Sequence, residues 1–248
     1  MKKKRRKIVV VCHDAGGAEF LSAYVLKHHK KFIFVSYVAG PAIKIFERKH
    51  VACQQIRRRS ARAILLKHQD AFALFSGTSH CSVERAFILE AKTLQMRTVA
   101  YLDHWVNYRE RFGYPELHWK SALPDEIWVS DAYGFSLAER YFKKFSRVRK
   151  VPNLYVAEII RAVRARIAAL SRRPQRTVLF LSEPLRLTSR YMFGGTDALR
   201  LDEYAILDAL CSLLVVQEQR FSLVLRFHPR ESSSKYDALL SRYAQHLN

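Results

Sequence analysis

The chain has 248 residues, 49% of them hydrophobic and 12% aromatic, a composition that supports a packed core and excludes a disordered or low-complexity protein. Its 43 Lys and Arg against 22 Asp and Glu leave a formal net charge of +21, so the expected partners are anionic: nucleic acid, phosphorylated small molecules or the acidic face of a membrane. Cys12, Cys53, Cys81 and Cys211 fall at no metal-like or redox-like spacing, which argues against a zinc module or a disulfide framework and for reduced thiols in the cytoplasm.

The opening MKKKRRKIVVVCHD has the basic start of a secretory signal, but its apolar run before His13 and Asp14 is shorter than the roughly 7 residues of a signal core. It reads as a basic tail entering a strand. No stretch approaches the roughly 18 uncharged apolar residues of a membrane span. Up to residue 152 the β-branched or aromatic runs KIVVVC, KFIFVSY, AFALFSG, RTVAYLD, EIWVS and RVRKVP are the expected strands. Between them AEFLSAYVLKHH, CQQIRRRSARAILLKHQ, SVERAFILEAKTLQ and AYGFSLAERYF space their apolar residues as helices do. This alternation predicts an α/β fold with a mainly parallel sheet and helices on both faces.

After Pro152 an amphipathic helix is expected, with Val156, Ile159, Ile160, Val163, Ile167 and Leu170 on one stripe and Arg161, Arg164 and Arg166 away from it, ended by Arg172, Arg173 and Pro174. Alternation resumes with RTVLFLSE, a loop near Gly194 and Gly195, the helix DEYAILDALCSLLVVQEQ, the strand FSLVLRF and a last helix SKYDALLSRYAQHL. The expected organisation is a first Rossmann-like domain over 1–153, a linker helix over 154–174 and a partial second Rossmann-like domain over 175–248.

Ligands of open parallel sheets bind beyond the carboxyl ends of the strands. The residues found there are His13-Asp14-Ala15-Gly16-Gly17, Ser76-Gly77-Thr78-Ser79-His80, Asp103-His104, Ser130-Asp131, Pro152-Asn153, Ser182-Glu183-Pro184 and His228-Pro229-Arg230. Loops and caps favour the same residue types, and Asp131 ahead of a helix reads as a cap. Seven such ends in a row are a stronger pattern than any one of them.

Gly16 and Gly17 are expected to turn the backbone sharply toward a ligand, with the following helix offering unpaired N–H groups and its positive end. His13 or Asp14 would lie at the mouth of the cleft, where either can act as a general base. The spacing is not G-x-G-x-x-G and no Walker lysine follows, so neither a dinucleotide site nor a P-loop is expected. Further on, LVLRFHPRESSSKY gathers Arg226, His228, Arg230 and the serines Ser232 and Ser233 ahead of a helix, a set that suits a phosphate or diphosphate. A loop histidine among surface arginines is the plainer alternative. In AYLDHWVNYRERFGYPELHWK, Trp105, Tyr108, Phe112, Tyr114 and Trp119 interleave with Arg109, Arg111 and Lys120. Such a segment can stack on sugar rings or bases, or simply cover the sheet edge.

Two successive α/β units, a glycine-bearing loop after the first strand and the His228-Pro229 dipeptide at a strand end resemble the GT-B class of glycosyltransferases, in particular the sialyl-, polysialyl- and Kdo-transferase-like enzymes of bacterial capsule and lipopolysaccharide synthesis. The resemblance implies that His228 and Pro229 contact the donor's nucleotide phosphate and that an acidic residue of the first unit, by position Asp14, is the acceptor base. The chain departs from that pattern by stopping about one helix after the dipeptide, where the family continues with βα units that hold the base and ribose.

The leading expectation is therefore transfer of a sugar from a nucleotide-sugar, a substrate rather than a cofactor, to a saccharide or lipid-linked saccharide acceptor, with no metal required. Asp14 or His13 would deprotonate the acceptor, and Arg226, His228 and Arg230 would neutralise the leaving phosphate. Ser182, Glu183, Pro229, Ser232 and Ser233 would line the donor side, and Gly16, Gly17, Ser76, Thr78, Asp103, His104 and Trp105 the acceptor side. A non-catalytic or truncated GT-B-like binding protein or subunit is the alternative, and a single-stranded nucleic-acid binder ranks third because no RRM, KH, zinc-finger or helix-turn-helix signal is present. The Lys2 to Lys7 tail, Arg57-Arg58-Arg59 with Arg62, and the linker helix would hold the protein on the inner face of an anionic membrane, although solvated helix faces explain them as well.

Overall fold

The structure, a computed structural model, describes residues 5–56, 60–168, 176–196, 200, 202–217, 221–228 and 231–246. Pro229 and Arg230, most of the basic tail, Arg57-Arg58-Arg59, and Leu170 with the expected helix stop at Arg172, Arg173 and Pro174 lie outside the described residues. The chain divides into two units, Met1–Arg166 and Ile167–Asn248.

In the first unit the β-branched runs pair into a 7-stranded sheet whose strands are all parallel: β1 (Arg6–Cys12), β2 (Phe32–Val38), β3 (Gln54–Gln55), β4 (Ala73–Ser76), β5 (Arg97–Tyr101), β6 (Glu126–Val129) and β7 (Arg147–Lys150). Their order is β3-β2-β1-β4-β5-β6-β7. Residue alternation along β1 sorts the core into two layers. Ile8, Val10 and Cys12 face α1 (Ala15–His28) and α2 (Ala42–Arg48) through Phe20, Leu21, Ile45 and Phe46. Val9 and Val11 face the opposite layer, where Leu65 of α3 (Ala61–Leu66), Phe87 and Ile88 of α4 (Ser82–Thr93) and Ala138 and Phe142 of α5 (Ala132–Phe142) pack. From β1 the chain runs out through β2 to β3, then crosses back to β4 and proceeds the other way. The loops after β1 and β4 consequently diverge at the switch in strand order, where such sheets open a crevice.

Two expectations change here. The helix expected from Cys53 onward begins instead as the edge strand β3, whose Gln54 and Gln55 pair with Tyr37 and Val38, and helix is confined to Ala61–Leu66. The unforeseen α2 is short; it starts after Pro41 and buries Ala42, Ile45 and Phe46. After β7 comes α6 (Leu154–Ala168), whose residues Val156, Ile159, Ile160, Val163 and Ile167 are exposed.

The second unit holds the parallel pair β8 (Thr177–Leu181) and β9 (Ser222–Arg226), with α7 (Leu185–Phe193), α8 (Glu203–Val215) and α9 (Asp237–Leu240). Leu207, Cys211, Tyr236 and Leu239 form its core, against which Phe180, Leu223 and Leu225 pack. The sequence did not announce α7, which ends where Gly194 takes a left-handed φ of 77°. The last helix is a single turn followed by a 3-10 turn at Ser241–Tyr243, shorter than its apolar spacing suggests. Among the described residues no helix is long and apolar enough to cross a membrane.

Candidate functional site

The site at the switch point starts with Asp14, the residue that enters α1. Its backbone is extended, as an N-cap's should be, yet its side chain makes no cap hydrogen bond. Asp14 Oδ1 instead lies 2.8 Å from His13 Nδ1. A carboxylate at that distance holds the proton on Nδ1 and leaves Nε2 as the lone-pair nitrogen. Among the described residues no protein group bonds Nε2. The imidazole packs against Gly40, where a Cβ would come within 2.5 Å of Nε2 and where φ is +53°, so glycine is required on both counts. With 25% and 33% of their side chains exposed, His13 and Asp14 can be reached by a solute.

Behind this pair sits Glu84, in the first turn of α4 and only 2% exposed. Its Oε1 accepts the His13 backbone N–H at 2.8 Å, and its Oε2 accepts the Ser79 hydroxyl at 2.7 Å. Burial pushes the Glu84 carboxyl above its ordinary range, against the pull of those hydrogen bonds. Asp103 follows β5, and its Oδ1 accepts from Arg111 Nη1 at 3.0 Å, while the same nitrogen donates to the Thr78 carbonyl at 3.0 Å. Burial raises Asp103 further than the Arg111 guanidinium lowers it. The buried Cys12 thiol is pushed well up by desolvation and by the Glu84, Asp103 and Asp14 carboxylates.

The glycines work differently from the expected sharp turn. Gly16 and Gly17 belong to the first turn of α1, and neither has a left-handed φ. A Cβ on Gly16 would sit 1.9 Å from Asp103 Oδ2, and one on Gly17 would sit 3.3 Å from both the Cys12 Sγ and the Gly77 Cα. They make room for the loops after β4 and β5. Ser76 and Thr78 are buried, and their hydroxyls donate to the Val99 carbonyl at 3.5 Å and the Tyr101 carbonyl at 3.2 Å, so they brace β4 against β5 behind the crevice. His104 and Trp105 are exposed; Trp105 Nε1 donates to Asp131 Oδ2 at 2.9 Å, and Asp131 Oδ1 caps α5 by accepting from the Gly134 N–H at 2.7 Å.

Sequence reasoning missed Glu84, Gly40 and the role of Arg111. For Glu84 a signal existed: it shares the face of α4 that carries Phe87, Ile88 and Ala91, and a carboxylate inside an apolar stripe must find partners. Among the described residues no group of three or more His, Cys, Asp and Glu is arranged to hold a metal ion.

In the second unit Arg226 ends β9 with its side chain exposed, opposite Leu181, and Glu183, Ser232 and Ser233 are exposed at the same strand ends. Ser182 is buried with its hydroxyl 2.6 Å from the Tyr236 hydroxyl, which ties it to the core. The half-buried His228 donates its backbone N–H to Glu231 Oε2 at 2.9 Å. Lys235, absent from the expectations, donates to Glu203 Oε1 at 2.8 Å and also to Glu231. Despite burial these bonds raise its pKa. The i, i+4 spacing of Glu231 and Lys235 was the available clue.

No family model matches the chain, and no curated protein matches it. Solved structures do. The UDP-GlcNAc 2-epimerase of Neisseria meningitidis bound to UDP-GlcNAc superposes with a TM-score of 0.63 at 11% identity, over 98% of this chain and 70% of that one. A UDP-glucosyltransferase of Polygonum tinctorium gives 0.60 at 12% identity over 100% and 70%. MnaA of S. aureus, solved with UDP, gives 0.60 at 11% identity over 96% and 65%. The chain thus spans about two thirds of the length of the structures it resembles, and the likeness carries the fold: α/β, GT-B-like, of Rossmann-type units.

Proposed function

We propose that the chain acts on a nucleotide-sugar, transferring the sugar to a hydroxyl of a surface-polysaccharide or lipid-linked saccharide acceptor. The observation that carries this reading is the His13–Asp14 pair, partly exposed directly after β1 at the switch in strand order, an imidazole with one nitrogen committed to a carboxylate and the other, beside Gly40, without a protein hydrogen bond among the described residues. In this role Nε2 takes the proton of the acceptor hydroxyl as its oxygen attacks the anomeric carbon. Asp14 stabilises the imidazolium that forms, and the bond from the anomeric carbon to the phosphate oxygen breaks. Arg226 and His228 would meet the charge left on the phosphate, with Glu183, Ser232 and Ser233 beside them; Pro229 and Arg230 join this set on the sequence resemblance. Asp103, His104 and Trp105 would line the acceptor side. Two of the similar structures hold UDP or UDP-GlcNAc, which supports the ligand class.

One of the similar structures is an epimerase and another a glucosyltransferase, on the same fold, so the products decide. Incubation with UDP-, GDP- and CMP-sugars, with and without a saccharide acceptor, is expected to release nucleotide from one class only when acceptor is present. Acceptor-independent conversion to an epimer would move the assignment to epimerisation. Absence of both turnover and any nucleotide effect on melting would leave a non-catalytic binding protein.

A further inference from the structure

We infer that the groove between α5 and residues 105–110 binds an anionic saccharide chain, serving as an acceptor subsite beyond the reacting hydroxyl; this rests on the reading of the protein as a sugar transferase. The groove has a volume of about 320 Å3. One wall is a face of α5, on which Tyr133, Leu137 and Tyr141 recur at four-residue steps, so it runs about 12 Å along the helix and takes more than a single ring. The other wall carries Trp105. Exposure of 57% for Trp105 and 66% for Tyr133 is high for residues of this size, and aromatic faces open to water are the surfaces on which sugar rings stack.

The walls are fixed before any ligand arrives. Trp105 is pinned through its N–H to Asp131, the cap of α5. Tyr108, buried beneath, donates to the Gly134 carbonyl at 3.3 Å and stacks on Phe142 with its ring plane within 4° of parallel. Such preorganisation lowers the entropic cost of binding. Among the described residues Arg109 is the cation lining the groove and Glu110 the carboxylate; the Arg109 guanidinium lies 4.1 Å above the Tyr114 ring and 5.4 Å from that of Tyr141. Among the described residues no carboxylate pairs with it. With Glu110 also on the wall, one guanidinium set between aromatic faces suits a sparsely charged sugar chain that brings a carboxylate or phosphate to Arg109, whereas a nucleic acid brings a phosphate at every step. Asp103 lies two residues before Trp105 with its carboxylate against Gly16, so a chain held here leads toward the His13–Asp14 turn.

The test is calorimetric titration of the full chain with a galacturonate tetrasaccharide, its fully methyl-esterified counterpart and a single-stranded oligothymidylate. Wild type is expected to bind the charged tetrasaccharide more tightly than the ester. Trp105→Ala and Tyr133→Ala should each weaken that binding about ten-fold, Trp105→Phe should keep most of it, and Arg109→Gln should erase the preference for the charged form. Melting curves of each variant verify folding. The inference is overturned if wild type does not bind the tetrasaccharide, if both alanine variants bind as wild type does, or if the oligothymidylate binds more tightly and responds to the same substitutions. A parallel His13→Ala variant separates the two readings. If it loses turnover while Trp105→Ala binds normally, the groove falls and the transferase stands; if it keeps full turnover while Trp105→Ala loses binding, the catalytic reading falls and the groove remains a saccharide site.

Discussion

In the first unit, burial raises the carboxyls of Glu84 and Asp103 above their ordinary range, whereas in the second those of Glu231 and Asp202 sit below it. Asp202 is lowered chiefly by its hydrogen bond to Arg186, and Glu231, in spite of some burial, by Lys235 and its hydrogen-bonding neighbours. The difference is one of surroundings: desolvation prevails at the first two carboxyls, while bonded cations and donors prevail at the second two.

The largest effect should come from breaking the second cluster. Lys235→Met leaves Glu203 and Glu231, both 4% exposed at the side chain, without their shared cation, and should cost about 3–5 kcal/mol in urea unfolding. Unchanged stability would mean that the carboxylates are solvated in solution. Next comes Glu84→Leu, which strands the His13 N–H, takes one of two acceptors from the Ser79 hydroxyl and should cost about 1–3 kcal/mol.

The milder variants Glu84→Gln and Glu231→Gln sharpen the contrast through pH. Because the folded-state pKa of Glu84 is raised, its contribution is complete below the ordinary carboxylate range and fades as pH rises through the raised value. Glu231, with a lowered pKa, contributes above that range and loses its contribution as pH falls. Melting temperatures across pH should therefore show wild type falling relative to Glu84→Gln on the alkaline side and relative to Glu231→Gln on the acid side. Parallel curves would remove the contrast. The smallest expected effect is that of Gly40→Ala, about 1–2 kcal/mol from the left-handed backbone, together with reduced turnover as the imidazole of His13 is displaced.

Much of the first unit was legible in the sequence because its signals are local. The apolar run of β1, the polar residues after β1, β4, β5 and β6, and α5 with its Asp131 cap are written in consecutive residues. Gly16 and Gly17 stood out for the same reason, but their purpose did not. The Asp103 carboxylate and the Gly77 backbone that they admit come from distant parts of the chain. Glu84 was hidden likewise, since a glutamate in the first turn of a helix reads as a dipole partner until the Ser79 hydroxyl and the His13 amide are seen to converge on it. In the second unit Lys235 followed the same rule, with Glu203 supplied by another helix.

In the proposed reaction the His13 imidazole, oriented by Asp14, accepts the proton of the attacking hydroxyl. The direct measurement is acceptor-dependent nucleotide release by wild type and His13→Ala, with nucleotide-sugar affinity determined alongside. The His13→Ala rate is expected to be lower by about 100-fold or more, with affinity unchanged. A His13→Ala protein that releases nucleotide at the wild-type rate would contradict it.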